Sequence, residues 1–296
     1  MNYLRGDLRD QLAYVGQDVV RTGLVVGSGG NLSARLPDGD SCWVTAKGTW
    51  LDRLDRTSFV RVRISDGSVL PDPPSRSDDP PRPAGATTAT GGQGTEGGSG
   101  AARGPAEPGL SDGQGRTVQD GETLLGDATL PAPRFGPGTE TATGRAMGGT
   151  LPTLPTSEVE LHLAAYRARP DARAIVHLHP QTVLLLDALG EQIRLVTTDH
   201  GFYLRRVTRV PFRLPGTTEL AELAAEATRN GTNCLVLSRH GCSVLGESVE
   251  LAHKRAANLE EAARLTYRAL AAGRLTELPE LPAEFVDWLA GGATGV

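Results

Sequence analysis

Two histidines separated by one residue, His177 and His179, close the apolar run Ala174-Ile175-Val176. Side chains of a strand alternate between its faces, so an i, i+2 pair points the same way and can hold one ion. Glu158 stands upstream at the head of a helical segment, and His240 follows a second apolar run, Cys234-Leu235-Val236-Leu237. Three imidazoles with a carboxylate nearby suit a divalent metal that keeps one coordination position open for chemistry. Cys242, two residues past His240, could be offered as a soft ligand, but His177, His179 and His240 already complete a three-ligand set. Taken alone, a His-x-His pair is short, and single strand histidines mostly serve structure.

The elements that must position these groups follow from hydrophobic periodicity. Leu4, Leu8, Leu12, Val15 and Val19 have helical spacing. The Gly-rich turn 27–30 comes next, followed by strand-like pieces at Leu32–Leu36, Cys42–Thr45 and Phe59–Ile64. From residue 154 onward the pattern is regular. Helices are expected over Ser157–Arg167, Gln181–Leu189, Thr217–Arg229 and Ser248–Ala271. Strands are expected at the histidine run, Ile193–Thr197, Val207–Phe212 and Cys234–Ser238. Helices following strands around a mixed, largely antiparallel sheet give an α/β fold, a three-layer α/β/α sandwich.

Residues 71–153 differ sharply from the rest. Pro, Gly, Ala, Ser, Thr and acidic residues dominate, and Phe135 is the one aromatic residue. Such a stretch buries too little apolar area to offset its ordering entropy, so it is expected to be a low-complexity, disordered insertion, with a transient hairpin most plausible at Gln114–Leu125. Removing it leaves roughly 215 residues, one domain in size.

Composition narrows the function classes. The 296-residue chain carries a net charge of −5 and no basic run, which argues against nucleic-acid binding. The first residues lack an apolar leader and no run reaches membrane-spanning length, so a soluble, cytoplasmic protein with no membrane partner is expected. Cys42, Cys234 and Cys242 are odd in number and widely spaced, which reads as buried reduced thiols.

The stretch from Thr156-Ser157-Glu158 through Tyr166 to His177-Leu178-His179 resembles the class II aldolase/adducin family. Gly27-Ser28-Gly29-Gly30-Asn31-Leu32-Ser33 is similar to that family's Gly-x-x-Gly-Asn-x-Ser loop, and Val44-Thr45-Ala46-Lys47-Gly48 and Arg239-His240-Gly241 fall in the family's order. The resemblance implies a single domain over 1–296 interrupted by the insertion, assembled as a homotetramer with active sites between subunits. It places metal ligands at His177, His179 and His240 and the catalytic glutamate at Glu158. The ion would be zinc, with manganese or another divalent transition metal as the alternative. A metal held by three neutral imidazoles keeps its charge and can polarise a ketose phosphate as a Lewis acid while an enediolate forms. Glu158 would remove or return the proton. His162, four residues on, could pair with Glu158 on one helix face, but the family pattern gives it no ligand role and a packing or hydrogen-bonding role fits better. His253 reads as solvated or structural.

The resemblance also assigns an anion end to Ser28, Gly30, Asn31, Lys47, Gly48, Thr156 and Ser157. Backbone N–H groups of the glycine turn, with hydroxyls from Ser28 and Ser33, could form a nest, and Thr156 and Ser157 precede a helix N-terminus. Ser28 stands where the family often has Thr, and Lys47 departs from a small hydroxyl residue. In the aldolase branch a tyrosine from a neighbouring subunit protonates the leaving aldehyde; here Thr198 stands there. The run Thr197-Thr198-Asp199-His200 looks more like the 4-epimerase branch, and Asp199, His200 or Tyr203 could supply the second acid/base, although Asp199 and Gly201 could equally shape a turn. The implied function is a lyase cleaving a small sugar phosphate, with epimerisation or dehydration on the same site as alternatives. An adducin-like interaction module without catalysis is the rival class.

Overall fold

The apolar run that ends in the histidine pair is buried along its whole length, as a strand covered on both faces must be. The computed structural model describes residues 5–72, 154–279 and 281–290. Among the described residues there are eight strands: β1 (Gly30–Arg35), β2 (Ser41–Thr45), β3 (Phe59–Arg63), β4 (Val69–Leu70), β5 (Ala174–Leu178), β6 (Val207–Val210), β7 (Cys234–Leu237) and β8 (Gly241–Gly246). They form one sheet in the order β4-β3-β2-β1-β5-β8-β7-β6. Every pairing is antiparallel except β6 with β7, so the sheet is mixed and largely antiparallel.

The period of two along β5 divides the core. Ala174, Val176 and Leu178 face a cluster with Leu12, Val15 and Val19 of α1 (Leu8–Arg21), Val183 and Leu186 of α3 (Gln181–Leu189), and Ala252, Ala256 and Leu259 of α5 (Val249–Ala271). Ile175 faces the other way, onto Leu163, Ala165 and Tyr166 of α2 (Val159–Ala168). Leu220 and Ala224 of α4 (Thr218–Thr228) extend that second layer over Leu235 and Leu237. The result is the α/β/α sandwich. Because His177 follows Ile175 by two residues, it lies on the α2 face.

Most expected elements appear within one or two residues of their expected ends, the usual scatter of helix and strand termini. Ile193–Thr197 is the exception. It is irregular rather than a strand, because its backbone is satisfied by side chains: the Arg194 N–H donates to Thr266 Oγ1 (2.9 Å) and the Val196 N–H to His200 Nδ1 (3.3 Å). Sequence reasoning missed β8, β4 and the short α6 (Ala283–Ala290).

The described residues belong to one compact unit, residues 1–74 with 150–296. The expected insertion, from residue 73 on, and the hairpin expected at Gln114–Leu125 lie outside the described residues. Among the described residues no helix is long and apolar enough to cross a membrane. All three cysteines are free and buried. Burial pushes the Cys42 and Cys234 thiols up to about 12 and Cys242 higher still, so none is a reactive thiolate at neutral pH. Cys242 also joins the α1/α5 core rather than the histidine cluster.

Candidate metal centre and its surroundings

The strand β5 delivers His177 within its ladder and His179 just past its end. His177 stands opposite Asn31 of β1 on one side and Ser243 of β8 on the other. The β7–β8 turn brings in His240, and α2 opens with Glu158 as its N-cap residue. Two glycines allow this convergence. A Cβ on Gly30, which has φ +138°, would meet the His177 carbonyl oxygen at 2.2 Å. One on Gly241 would meet the Leu178 carbonyl at 2.4 Å and the His179 ring at 2.7 Å. Only glycine permits so close an approach of neighbouring backbones.

The three imidazoles form a near-equilateral triangle, with centroid separations of 4.8, 5.0 and 5.1 Å. The Nε2 atoms of His177 and His179 are 3.1 Å apart. Glu158 Oε2 is 3.1 Å from His177 Nε2, and its Oε1 is 2.9 Å from His240 Nε2. One ligand atom from each of the four residues lies within 4.8 Å of all the others. Zinc–nitrogen bonds of ~2.05 Å in a tetrahedron place ligand atoms about 3.3 Å apart, so this spacing fits a single ion. The donor atoms support the same reading. Glu158 Oε1 is buried with no aligned hydrogen bond despite its nearness to His240. A cation would satisfy that unpartnered oxygen together with the imidazole nitrogens that face it.

Electrostatics keep the groups in their binding forms. Burial favours the neutral Glu158 carboxyl, but the close approach of His177 and His240 outweighs it and holds the group far below the usual carboxylate range. Burial, followed by the neighbouring imidazoles, pushes His179 down to about 4, so it stays neutral and able to ligate.

The glycine turn abuts the cluster, since the His179 N–H donates to the Gly29 carbonyl (3.1 Å). The N–H groups of Gly29 and Gly30 are turned inward, to the carbonyls of Val26 (2.7 Å) and Ser28 (3.2 Å), so they do not form the expected nest. Ser33 is also unavailable to an anion: it is fully buried and bonded to His162 and Tyr166. Thr45–Gly48 and Leu154–Ser157 run side by side, through Lys47 N–H to Leu154 O (2.9 Å) and Thr156 N–H to Thr45 O (2.9 Å). Ser28, Lys47, Gly48 and Ser157 are exposed, and Thr156 is buried. Asn31 is nearly buried and donates from Nδ2 to Glu158 Oε2 (2.9 Å).

Asp199, His200 and Tyr203 occupy or adjoin a π-helical turn, His200–Leu204, and their described hydrogen bonds and ion pairs are with the preceding Val196 and Thr197 and with α5. His200 is fully buried, its Nε2 3.4 Å from Glu261 Oε2 but not aligned for a hydrogen bond. Asp199 is exposed and Tyr203 half-buried. None of the three joins the four-residue cluster. His253 pairs with Asp18 at 3.0 Å and is structural. His162, expected to pack or hydrogen-bond rather than ligate, bonds Asn31 behind Glu158, a partner the sequence did not name. Its spacing of four from both Glu158 and Tyr166 was the available signal.

Comparison with known proteins shows the family. A model of the Class II Aldolase and Adducin N-terminal domain matches residues 10–90 and 139–267, most of the chain. The chain belongs to that family. L-fuculose phosphate aldolase of Methanocaldococcus jannaschii is 33% identical over 119 residues, 40% of this chain and 64% of that protein. The 3-oxo-tetronate 4-phosphate decarboxylase of Escherichia coli is 34% identical over 136 residues, 42% of this chain and 64% of that protein. In both cases the match spans less than two thirds of the relative's own length. Among solved structures, YgbL of Klebsiella pneumoniae superposes with a TM-score of 0.62 at 22% identity, covering 95% of this chain and 97% of that one, which shows a shared fold.

Proposed function

We propose that the chain is a metal-dependent aldehyde-lyase that splits a small sugar phosphate between the carbons α and β to its carbonyl, releasing a dihydroxyacetone-phosphate-type ketone and an aldehyde. The observation that carries this reading is the convergence of His177, His179, His240 and Glu158. The three histidines would hold the metal, zinc by the character of a neutral three-nitrogen set, with manganese as the alternative. Once bound, such an ion acts as a Lewis acid, polarising the substrate carbonyl and offsetting the negative charge that develops there.

The chain's own residues do the rest. Asn31 occupies Glu158 Oε2, leaving Oε1 as the oxygen that takes a proton from the substrate and returns it. The exposed ammonium of Lys47, with Ser28, Gly48, Thr156 and Ser157, binds the phosphate end. The second acid/base comes from Asp199 or Tyr203 of a neighbouring subunit in a homotetramer; Arg255 of α5 ties their turn down by donating to the Tyr203 carbonyl (3.1 Å). A cytoplasmic location belongs to the same reading.

Decarboxylation of a phosphorylated 3-oxo acid is the second reading, favoured by the Escherichia coli relative. It too leaves an electron pair on carbon next to a carbonyl and needs the same polarising centre. Metal analysis of the purified protein, with a screen of ketose phosphates and 3-oxo acid phosphates for ketone-phosphate or carbon dioxide release, tests both. About one metal per chain with aldehyde release is the expected result. Absence of both metal and turnover would leave the interaction-module reading.

A further inference from the structure

Behind Glu158 runs a line of buried polar side chains that no metal ligation explains. Glu158, His162 and Tyr166 are spaced at four residues and so lie along one face of α2, while Asn31 and Ser33 are two apart on one face of β1. The two faces interlock. Asn31 Nδ2 meets Glu158 Oε2 at 2.9 Å, Asn31 Oδ1 meets His162 Nε2 at 2.5 Å, His162 Nδ1 meets Ser33 Oγ at 2.7 Å, and Ser33 Oγ meets the Tyr166 hydroxyl at 2.8 Å. His162 and Ser33 are fully buried, Tyr166 and Asn31 nearly so. The far end is closed by Arg35, whose guanidinium lies 4.7 Å from the Tyr166 ring centroid and donates to the carbonyls of Tyr166 and Ala172.

Such a line permits two hydrogen arrangements. In one, Tyr166 donates to Ser33, Ser33 to His162 Nδ1, His162 Nε2–H to the Asn31 carbonyl, and the Asn31 NH2 to Glu158. In the other, His162 carries its hydrogen on Nδ1, the Asn31 amide turns end for end, and its carbonyl oxygen faces a carboxylate oxygen at 2.9 Å. The second arrangement sets two acceptors against each other in a buried site and leaves the carboxylate oxygen without a donor, which is costly. We infer that His162 is a positioning residue: as the Nε2–H tautomer it fixes the Asn31 amide so that its NH2 end meets Glu158, which commits Oε2 to that bond and aims Oε1 at the reacting proton. Burial, reinforced by His177, pushes the His162 imidazole down to about 3, so it remains neutral and keeps a bare Nδ1 for Ser33. The catalytic consequence rests on the proposed lyase reading; the tautomer itself does not.

The experiment has two arms. In the uniformly 15N-labelled full-length protein loaded with zinc, the His162 ring is expected to carry its hydrogen on Nε2, with Nδ1 showing the shift of a hydrogen-bond acceptor. A ring protonated at Nδ1 overturns the inference. In the second arm, His162→Leu is expected to lower kcat by about 10- to 100-fold, with KM and metal content within about twofold. His162→Gln, which can place an NH2 near the Nε2 position, is expected to recover most of that loss. Wild-type turnover in folded His162→Leu, or an equal loss in folded His162→Gln, overturns the inference. If the leucine variant does not fold, the glutamine variant and the ring spectrum decide. If the wild-type protein turns over no sugar phosphate, the lyase reading fails, and the spectrum alone decides the tautomer.

Discussion

Between Glu158 and Arg35 buried side chains bond one to the next across α2 and β1, whereas between Ile193 and Arg206 the backbone leans on scattered side chains of α5. In the first region the hydrogen-bonding partners are fixed by sheet register, since Asn31 stands opposite His177 and Ser33 opposite Ile175. In the second a π-helical turn carries Asp199 at its head and ends at Arg205, a non-glycine residue at φ +53°. Such turns and such backbone angles are concentrated at functional sites. The contrast suggests a division of labour. On the proposed reading, the hydrogen-bonded side would hold the groups common to every reaction proposed for the site, and the irregular side would carry the acid/base whose identity selects among them.

The largest expected effect lies on the hydrogen-bonded side. Glu158→Gln keeps the shape and the Asn31 contact but removes the base, so kcat should fall by about 10²- to 10⁴-fold, while metal content measured on the same sample stays near that of the wild type. Loss of the metal as well would make Glu158 chiefly a ligand.

Acid should act next, and mainly through the same side. His162 and His179 have folded values of about 3 and about 4, below the ordinary histidine value of 6.5. A depressed histidine means that the unfolded chain takes up protons first. Its stabilisation is therefore complete above about pH 6.5 and is lost as pH falls toward the folded value, at about 1.4 kcal/mol per pH unit for fully buried His162 and less for His179, which solvent partly screens. Denaturant unfolding of the metal-free protein at pH 7, 6 and 5 should show a loss on the order of a few kcal/mol. The slope should flatten in His162→Gln.

One kind of substitution, made beside the histidine cluster and in the π-helical turn, sharpens the comparison. In Gly241→Ala the new methyl group would strike the Leu178 carbonyl at 2.4 Å, a backbone atom inside the sheet, and should cost about 3 kcal/mol or more. In Gly201→Ala it would meet the ends of the Phe285 and Leu281 side chains at 2.7 and 2.8 Å, which can swing away, so about 1 kcal/mol is expected. Thermal unfolding of the two variants measures the difference, and equal costs would argue against a rigid and a yielding side.

The same contrast explains what could be read from the chain. His177, His179, Glu158 and His240 stand out because polar residues at the ends of apolar runs are conspicuous, and long periodic helices such as α5 show their inward stripe. β8 was missed because all six of its residues are buried, so the alternation that marks a half-exposed strand is absent, and glycines at both ends imitate turns. Ile193–Thr197 has the composition of a strand, yet its Ile193 and Leu195 pack against the α1/α5 core outside the sheet. The hydroxyl of Ser33 looked like an anion contact, and only pairing with β5 reveals that it faces α2. Residue type was visible locally; the direction a side chain faces depends on partners far away in sequence.

The smallest effect on the fold is expected at Asp199. The residue is exposed and caps nothing with its side chain, so Asp199→Asn should change unfolding free energy by no more than about 0.5 kcal/mol. Its value lies in a mixing experiment with Glu158→Gln. If the two sides of a site come from different subunits, an inactive Glu158→Gln chain still carries a working Asp199, and an inactive Asp199→Asn chain still carries a working Glu158. Unfolded together in equal amounts and refolded, the two should assemble with about a quarter of their sites combining both intact groups, provided subunits mix at random. Recovery near that fraction of wild-type turnover would place the two regions on opposite sides of a subunit boundary. No recovery from two separately inactive variants that form mixed oligomers would place both groups within one chain, and full activity in Asp199→Asn alone would pass the role to Tyr203.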